Sequence, residues 1–266
     1  MAVRDSLLKS LSTIKEDKVG LLLSGGNGSA SVLFALLELN KEVHAYTFHM
    51  ENHESTDLKR ARAITSKYGV RLTEVPLPSD LRTLKRDCLY LVNEVGCVLK
   101  TDVECSFPIK YVLPLVEEKV LTSGLGDDNY FALSKQGQIH YRHSVESMNA
   151  YREKAFREYE VQVNLFQKMA DNYGISLVSP YQMQDMIDTF KDTSWEEINK
   201  PKIKQWILNS YPKEFEGIKF YHANFQKGDS KISDNFLQLL SSDWNTKGYK
   251  RTDGIFNSIR RGEILE

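Results

Sequence analysis

The sequence predicts an α/β protein built on a doubly wound, mainly parallel sheet, with a helical subdomain after it. Three observations carry that expectation. Strand-like apolar runs alternate with helix-like segments through the first half, which implies parallel pairing through right-handed crossovers. Two of those runs, "KVGLLLS" and "KVLTSGLGDD", lead into glycine turns. After about residue 145 helical periodicity takes over, so the chain divides into an α/β region over 1–145 and a helical subdomain over 146–266 with a basic tail.

The elements follow in order. "MAVRDSLLKSLSTIKEDK" lacks the unbroken apolar core of a signal peptide and reads as a short amphipathic helix. "KVGLLLS" is a short apolar run of the kind that forms a buried parallel strand, and "ASVLFALLEL" after it is an almost wholly apolar, well-covered helix. "EVHAYTFHM" is β-branched and aromatic, a second strand. "STDLKRARAITSKYG" has a cap at Ser55 or Thr56, an apolar stripe at Leu58, Ala61, Ile64 and Thr65, and a stop at Gly69. "VRLTEVPL" is a third strand, closed by Pro76 and Pro78, and a helix is expected over about 80–95. Beyond 145, "ESMNAYREKAFREYEVQVNLFQKMADNYG" reads as one long helix or two ending at Gly174, and further helices are expected near 183–190, 195–209 and 233–240.

Composition excludes several classes. The chain has 266 residues, 41% of them apolar and 27% charged, with a formal charge of -1. Nothing global therefore draws it to nucleic acid or acidic lipid, and no run is long enough to span a bilayer. The 3 cysteines have no C-x-x-C spacing, so reduced thiols in a cytoplasm are the expected state rather than disulfides or a zinc site.

The stretch "LSGGNGSAS" carries the chemistry. A strand running through glycines into a helix places unpaired N–H groups and a partial positive charge at an anion. Gly25, Gly26 and Gly28 admit close backbone approach, and Ser24, Ser29 and Ser31 offer hydroxyl donors. The nucleotide P-loop pattern is absent because no lysine follows. A dinucleotide fingerprint is half present, with Ser31 where its last glycine belongs and Glu51 available to a ribose. A tight turn without a ligand is the remaining alternative.

A more specific reading comes from resemblance. "LSGGNGSAS" resembles the S-G-G-x-D-S pyrophosphate loop of the ATP pyrophosphatase (PP-loop) superfamily, whose fold is that of the adenine nucleotide alpha hydrolases. "FPIKYVLPLVEEKVLTSGLGDDNYF" is similar to the segment leading into the S-G-E-G-x-D-E-x-F loop of asparagine synthetase and β-lactam synthetase. "YGISLVSPYQ", "KPKIKQWILNSYP" and "NFQKGDSK" resemble that family's G-L-E-x-R-x-P-F-L-D segment, K-x-x-L-R helix and lysine-glycine loop, in the same order.

The resemblance implies a stand-alone, ATP-dependent, AMP-forming amide ligase. In that reading Ser24, Gly25, Gly26, Asn27, Gly28 and Ser29 cradle pyrophosphate, Gly124 and Asp127 join them from the second loop, and the backbone around Thr47 and His49 reads adenine. Asp128 holds Mg2+, Lys227 neutralises the intermediate, and Lys231 is its substitute. The cofactors are ATP and magnesium; the partners are a small carboxylate and an amine, the amine arriving freely or from a separate protein. Because the chain opens "MAVRDSLL", it is expected to lack a glutaminase domain.

Five positions depart from the family, two of them Ser176 and Val178, which replace the charged pair of the G-L-E-x-R segment. Gly28 replaces the magnesium-binding aspartate of the first loop, while Leu125 and Asn129 replace the two glutamates of the second. An aspartate restored at 28 is expected to strengthen metal binding, with Asp127 a compensating neighbour. The alternative function is a catalytically degenerate nucleotide-binding or scaffold protein of the same fold. Other features have plain readings: His140 and His143 as helix-surface histidines, Arg152 and Arg157 on a solvated helix face, Trp195, Trp206 and Phe190 as core, and Cys105 as an unactivated thiol.

Overall fold

The structure, a computed structural model, describes residues 2–218, 230–237, 257 and 261. Helix α1 (Ala2–Leu11) precedes β1 (Lys18–Leu22), α2 (Asn27–Glu38), β2 (Glu42–Met50), α3 (Thr56–Tyr68) and β3 (Arg71–Leu77). Then come α4 (Leu81–Tyr90), continued by a π-helical turn over Leu91–Val95, α5 (Lys100–Val112) and β4 (Val120–Ser123). A 3-10 turn at Asp127–Tyr130 leads to α6 (Lys135–His140), the long α7 (Val145–Asp171) and β5 (Ser176–Val178). Helices α8 (Gln184–Phe190), α9 (Trp195–Asn199) and α10 (Gln205–Leu208) follow, and 232–237 is helical.

The five strands are all parallel, in the order β3-β2-β1-β4-β5. The chain winds outward from β1 through β2 to β3, then returns to the other side of β1 with β4. The switch point therefore lies between β1 and β4, where a doubly wound sheet opens a crevice beyond the strand ends.

Local signals explain most elements. Ser55 caps α3, its hydroxyl accepting from the Leu58 N–H, and Gly69 ends it at φ 65°, a left-handed turn that only glycine adopts without strain. The buried residues of α3 are Leu58, Ala61, Ile64 and Thr65, the stripe the sequence spacing predicts. Helix α2 begins at Asn27, so the glycine turn forms the helix's own first turn, and ten of its residues, Asn27 to Leu36, are buried.

Some expectations are corrected. Pro76 does not close β3 but lies within it, opposite His49; β3 is an edge strand, where a missing N–H faces no partner. The segment expected to be helical after 145 contributes β5 to the sheet beside β4. The 195–209 stretch is two short helices, interrupted at Pro201 and at Lys204, whose φ is 57°. His143 lies past the end of α6 with its Nε2 on the Ile139 carbonyl, so the two histidines do not share a helix face.

Two apolar cores flank the sheet. One joins α1 and α2 to Phe131, Tyr181, Phe190 and Trp195; the other joins the α4–α5 region to Phe166 and Phe236. Phe190, at 5.5 Å from Trp206, and Trp195 are core residues.

Candidate active site at the sheet switch point

The turns after β1 and β4 use the same local device. Ser24 Oγ accepts from the Gly26 N–H at 3.3 Å, and Ser123 Oγ accepts from the Leu125 N–H at 3.3 Å. A hydroxyl capping the amide two residues on is a common way to close a tight turn. Gly25 is left-handed at φ 71°, and a Cβ there would lie 2.5 Å from Arg60 Cβ, so the first turn packs against α3 as well.

The turns also touch each other. A Cβ on Gly124 would be 2.3 Å from Ser29 N, and one on Gly28 would be 2.5 Å from Asp127 Oδ2. Both glycines are thus required by the approach of one loop to the other. Gly26 caps α2 without any side-chain hydrogen bond, and no acidic residue lies in the first turn of α2. The helix presents its positive end to the crevice, with Ser24 Oγ and Ser29 Oγ 3.2 Å apart beside it. Ser31 does not join them. It is fully buried, donating to the Gly28 carbonyl at 2.7 Å and paired with Tyr181 Oη at 2.7 Å.

The acids of the second loop meet a lysine that sequence reasoning passed over. Lys204 Nζ lies 2.6 Å from Asp127 Oδ2 and 2.5 Å from Asp128 Oδ1, and its side chain is only 10% exposed. The two carboxylates keep the ammonium charged: burial opposes its charge, but Asp127 and Asp128 together more than offset that and raise its pKa. Phe131 supplies a ring face 5.7 Å from the ammonium. The signal for Lys204 was present in "KPKIKQWILNSYP", but nothing local distinguishes Lys204 there from Lys200 or Lys202.

Two tyrosines of α7 sense the same acids. Tyr151 is pushed up to about 12, mainly by burial and then by the charge of Asp128, and Tyr159 is raised for the same reasons. Asn129, next in the loop, is buried, and its Nδ2 has no hydrogen-bond partner among the described residues.

The remaining expected residues fall out as follows. Thr47 is buried on β2 just beyond the last β1–β2 pair, at the crevice end of the sheet. Lys231 is exposed, and its carbonyl caps the 232–237 helix by accepting from the Asn235 N–H at 3.0 Å; no described hydrogen bond joins it to either loop. Lys227 lies outside the described residues, as does most of the basic tail. Arg152 is not on a solvated face. It is buried, its pKa depressed to about 10 by desolvation, and it donates to Thr193 O at 3.0 Å and Thr193 Oγ1 at 2.8 Å. It lines a cleft of about 550 Å³ with Tyr130, Phe156, Gln182 and Ile187, which Ser24, Ser29, Asp127 and Asp128 do not border. Cys105 is buried with its thiol pushed up to about 12, which leaves it unreactive.

A doubly wound parallel sheet whose glycine turns meet at the switch point defines the class of α/β protein that takes its ligand beyond the carboxyl ends of its strands. Within that class, the chain belongs to the asparagine synthase family, whose model matches residues 2–184. No curated protein sequence matches the chain. Among solved structures it is similar to the U34-tRNA thiolase NcsA from Methanococcus maripaludis, at 15% identity over 100% of this chain and 80% of that one, with a TM-score of 0.42. It is also similar to the NH3-dependent NAD synthetase from Campylobacter jejuni, at 11% identity over 83% of this chain and 95% of that one, with a TM-score of 0.35. At such identities and scores the likeness extends to neither substrate nor chemistry. Family membership supports ATP-utilising, ligase-type chemistry in general terms. No helix among the described residues is long and apolar enough to cross a membrane.

Proposed function

We propose that this protein is an ATP-dependent, AMP-forming amide ligase of the asparagine synthetase kind. The observation that carries the reading is the contact between the two switch-point turns, Gly124 on Ser29 and Gly28 on Asp127. It makes one crevice out of two loops, as a triphosphate with its metal requires. A carboxylate oxygen of the substrate attacks the α-phosphorus of ATP, expelling pyrophosphate and giving an acyl-adenylate. The amine then attacks the acyl carbon, AMP leaves, and the amine loses a proton.

The chain's residues have assigned parts in this scheme. The first turn of α2, with Ser24, Gly25, Gly26, Asn27, Gly28 and Ser29, holds the pyrophosphate end, and Gly124 keeps the second loop against it. The backbone at Thr47 reads adenine. Lys227, with Lys231 as the second candidate, is assigned to neutralise the charge that develops at the α-phosphate.

Asp127 and Asp128 suit a magnesium ion, because one cation, the Lys204 ammonium, already reaches an oxygen of each. Magnesium bound there would neutralise phosphate charge as pyrophosphate leaves. The substrates are a small carboxylate and an amine that arrives freely or from a separate protein. The setting is the cytoplasm, which suits three buried free thiols.

A second reading, a nucleotide-binding protein without turnover, is favoured by Leu125, which offers no carboxylate where the family has one. Calorimetry with ATP and magnesium, followed by assay of AMP and pyrophosphate over a panel of carboxylates and amines, separates the two. The ligase releases both products, and Asp128→Ala abolishes magnesium-dependent binding. Binding with no product from any pair establishes the second reading instead.

A further inference from the structure

We propose that the Lys204 ammonium is a built-in stand-in for the divalent cation: it occupies the gap between Asp127 and Asp128 when no metal is bound, and a metal enters only by displacing it. The proposal rests on the reading above, in which these two acids hold the metal of the nucleotide.

The geometry is specific. Consecutive carboxylates would repel one another across a poorly hydrated gap, and the ammonium bridges them at 2.6 and 2.5 Å. The lysine is delivered there by a backbone in the left-handed region, φ 57°, which a side-chain-bearing residue adopts at a cost and only when its surroundings hold it. Those surroundings are visible. The Lys204 N–H donates to Asn199 Oδ1 at 3.0 Å, and the Asn199 amide donates in turn to the Phe131 carbonyl at 3.3 Å. One asparagine thus ties the lysine backbone to Phe131, the residue that ends the 3-10 turn carrying Asp127 and Asp128. Phe131 itself places its ring beneath the ammonium.

The same geometry makes the two cations mutually exclusive. A magnesium ion needs carboxylate oxygens at about 2.0–2.1 Å in a near-octahedral shell, and an ammonium within hydrogen-bond reach of both oxygens fills that volume. Metal alone would also have to enter beside a positive charge. A nucleotide removes that obstacle, because the flexible four-carbon stem of the displaced lysine can carry its charge to a phosphate oxygen. Gly28 contributes by omission: with no side chain there, the Asp127 carboxylate lies against the first turn of α2 and remains within reach of Lys204.

The test uses Mn2+ alone, titrated by calorimetry into the full chain without nucleotide. Lys204→Met is expected to bind Mn2+ at least tenfold more tightly than the unaltered protein, and adding Asp128→Asn to that variant is expected to erase the gain. Thermal unfolding supplies the second readout: Mn2+ raises the melting temperature of Lys204→Met and leaves that of the unaltered protein in place. Lys204→Gln, which keeps a polar side chain, carries the same comparison if the methionine variant does not fold. Equal Mn2+ affinity with and without Lys204 overturns the proposal. A gain in Mn2+ affinity in a protein that binds no ATP keeps the stand-in and overturns the ligase instead.

Discussion

The α-carbon of Gly28 lies directly against the carboxylate of Asp127: a methyl group at position 28 would sit 2.5 Å from Oδ2 and 2.6 Å from Cγ. With no side chain at position 28, the Asp127 carboxylate of the second turn takes up the space beside the first turn of α2.

A side chain at position 28 is therefore expected to be harmful. Gly28→Ala should lower stability by about 1–3 kcal/mol, as overpacking does, because Asp127 is held by Lys204 and cannot simply turn away. Gly28→Asp adds a like charge to the collision and should weaken cation binding, the reverse of what the sequence alone suggests. Gly26→Ala is the control, since a Cβ there meets only Ser24 Oγ, at 3.4 Å. Urea denaturation of the three variants compares them; equal midpoints for Gly28→Ala and Gly26→Ala would refute the contact.

Removing the Lys204 charge leaves two acids without their buried partner. Lys204→Met should cost about 3–5 kcal/mol, the usual penalty for breaking a buried ion pair. Combining it with Asp127→Asn should cost clearly less than the sum of the single changes. A double-mutant cycle by chemical denaturation measures the difference, and strict additivity would mean that the pair does not interact.

Arg152, on α7, holds the turn after α8 by donating to Thr193, and it donates to Asn149, one turn earlier on α7, which bonds Asp192 of the same turn. Replacing it with methionine keeps the stem but strands a buried carbonyl and hydroxyl, with an expected loss of about 2–3 kcal/mol. A helix-face arginine in solvent would lose almost nothing, so the melting temperature of Arg152→Met decides between the two.

Alkaline pH should unfold this protein early. Burial pushes Cys97 up to about 11 and Cys105 and Tyr151 up to about 12, and it raises Cys88, Tyr130 and Tyr181 as well. Each is an acid whose neutral form the fold favours, so the unfolded chain releases its protons first. That stability is complete below about pH 8.5 for the thiols and about pH 10 for the phenols, and is lost as pH climbs towards 12. The urea midpoint should be level from pH 7 to 8 and fall beyond pH 9. In the same experiment the three thiols should resist alkylation at pH 8 until denaturant is added.

Much of the fold was legible because helices and strands announce themselves locally. The β-rich stretch of residues 42–50 is β2 to the residue, and Ser55 and Gly69 bound α3 because a hydroxyl cap and a left-handed glycine act within one turn of chain. The place of the glycine turn between β1 and α2 was legible for the same reason. Pro76 was misjudged because whether a strand tolerates proline depends on whether it lies at an edge, and that is decided by its neighbours in space.

Sequence by itself determined strands β1 to β4, the helices α2 and α3 between the first three of them, the glycine turns and the acids of the second loop, since each follows from residues a few positions apart. Only tertiary structure decided that Asp127 fills the space beside Gly28, that Arg152 is buried, and that Lys204 reaches Asp127, 77 positions earlier, and Asp128 beside it. Periodicity and turn chemistry act over one or two turns of backbone. A charge held between two carboxylates depends on how α9 and α10 dock against a loop on the far side of the sheet's switch point, and no local pattern encodes that distance.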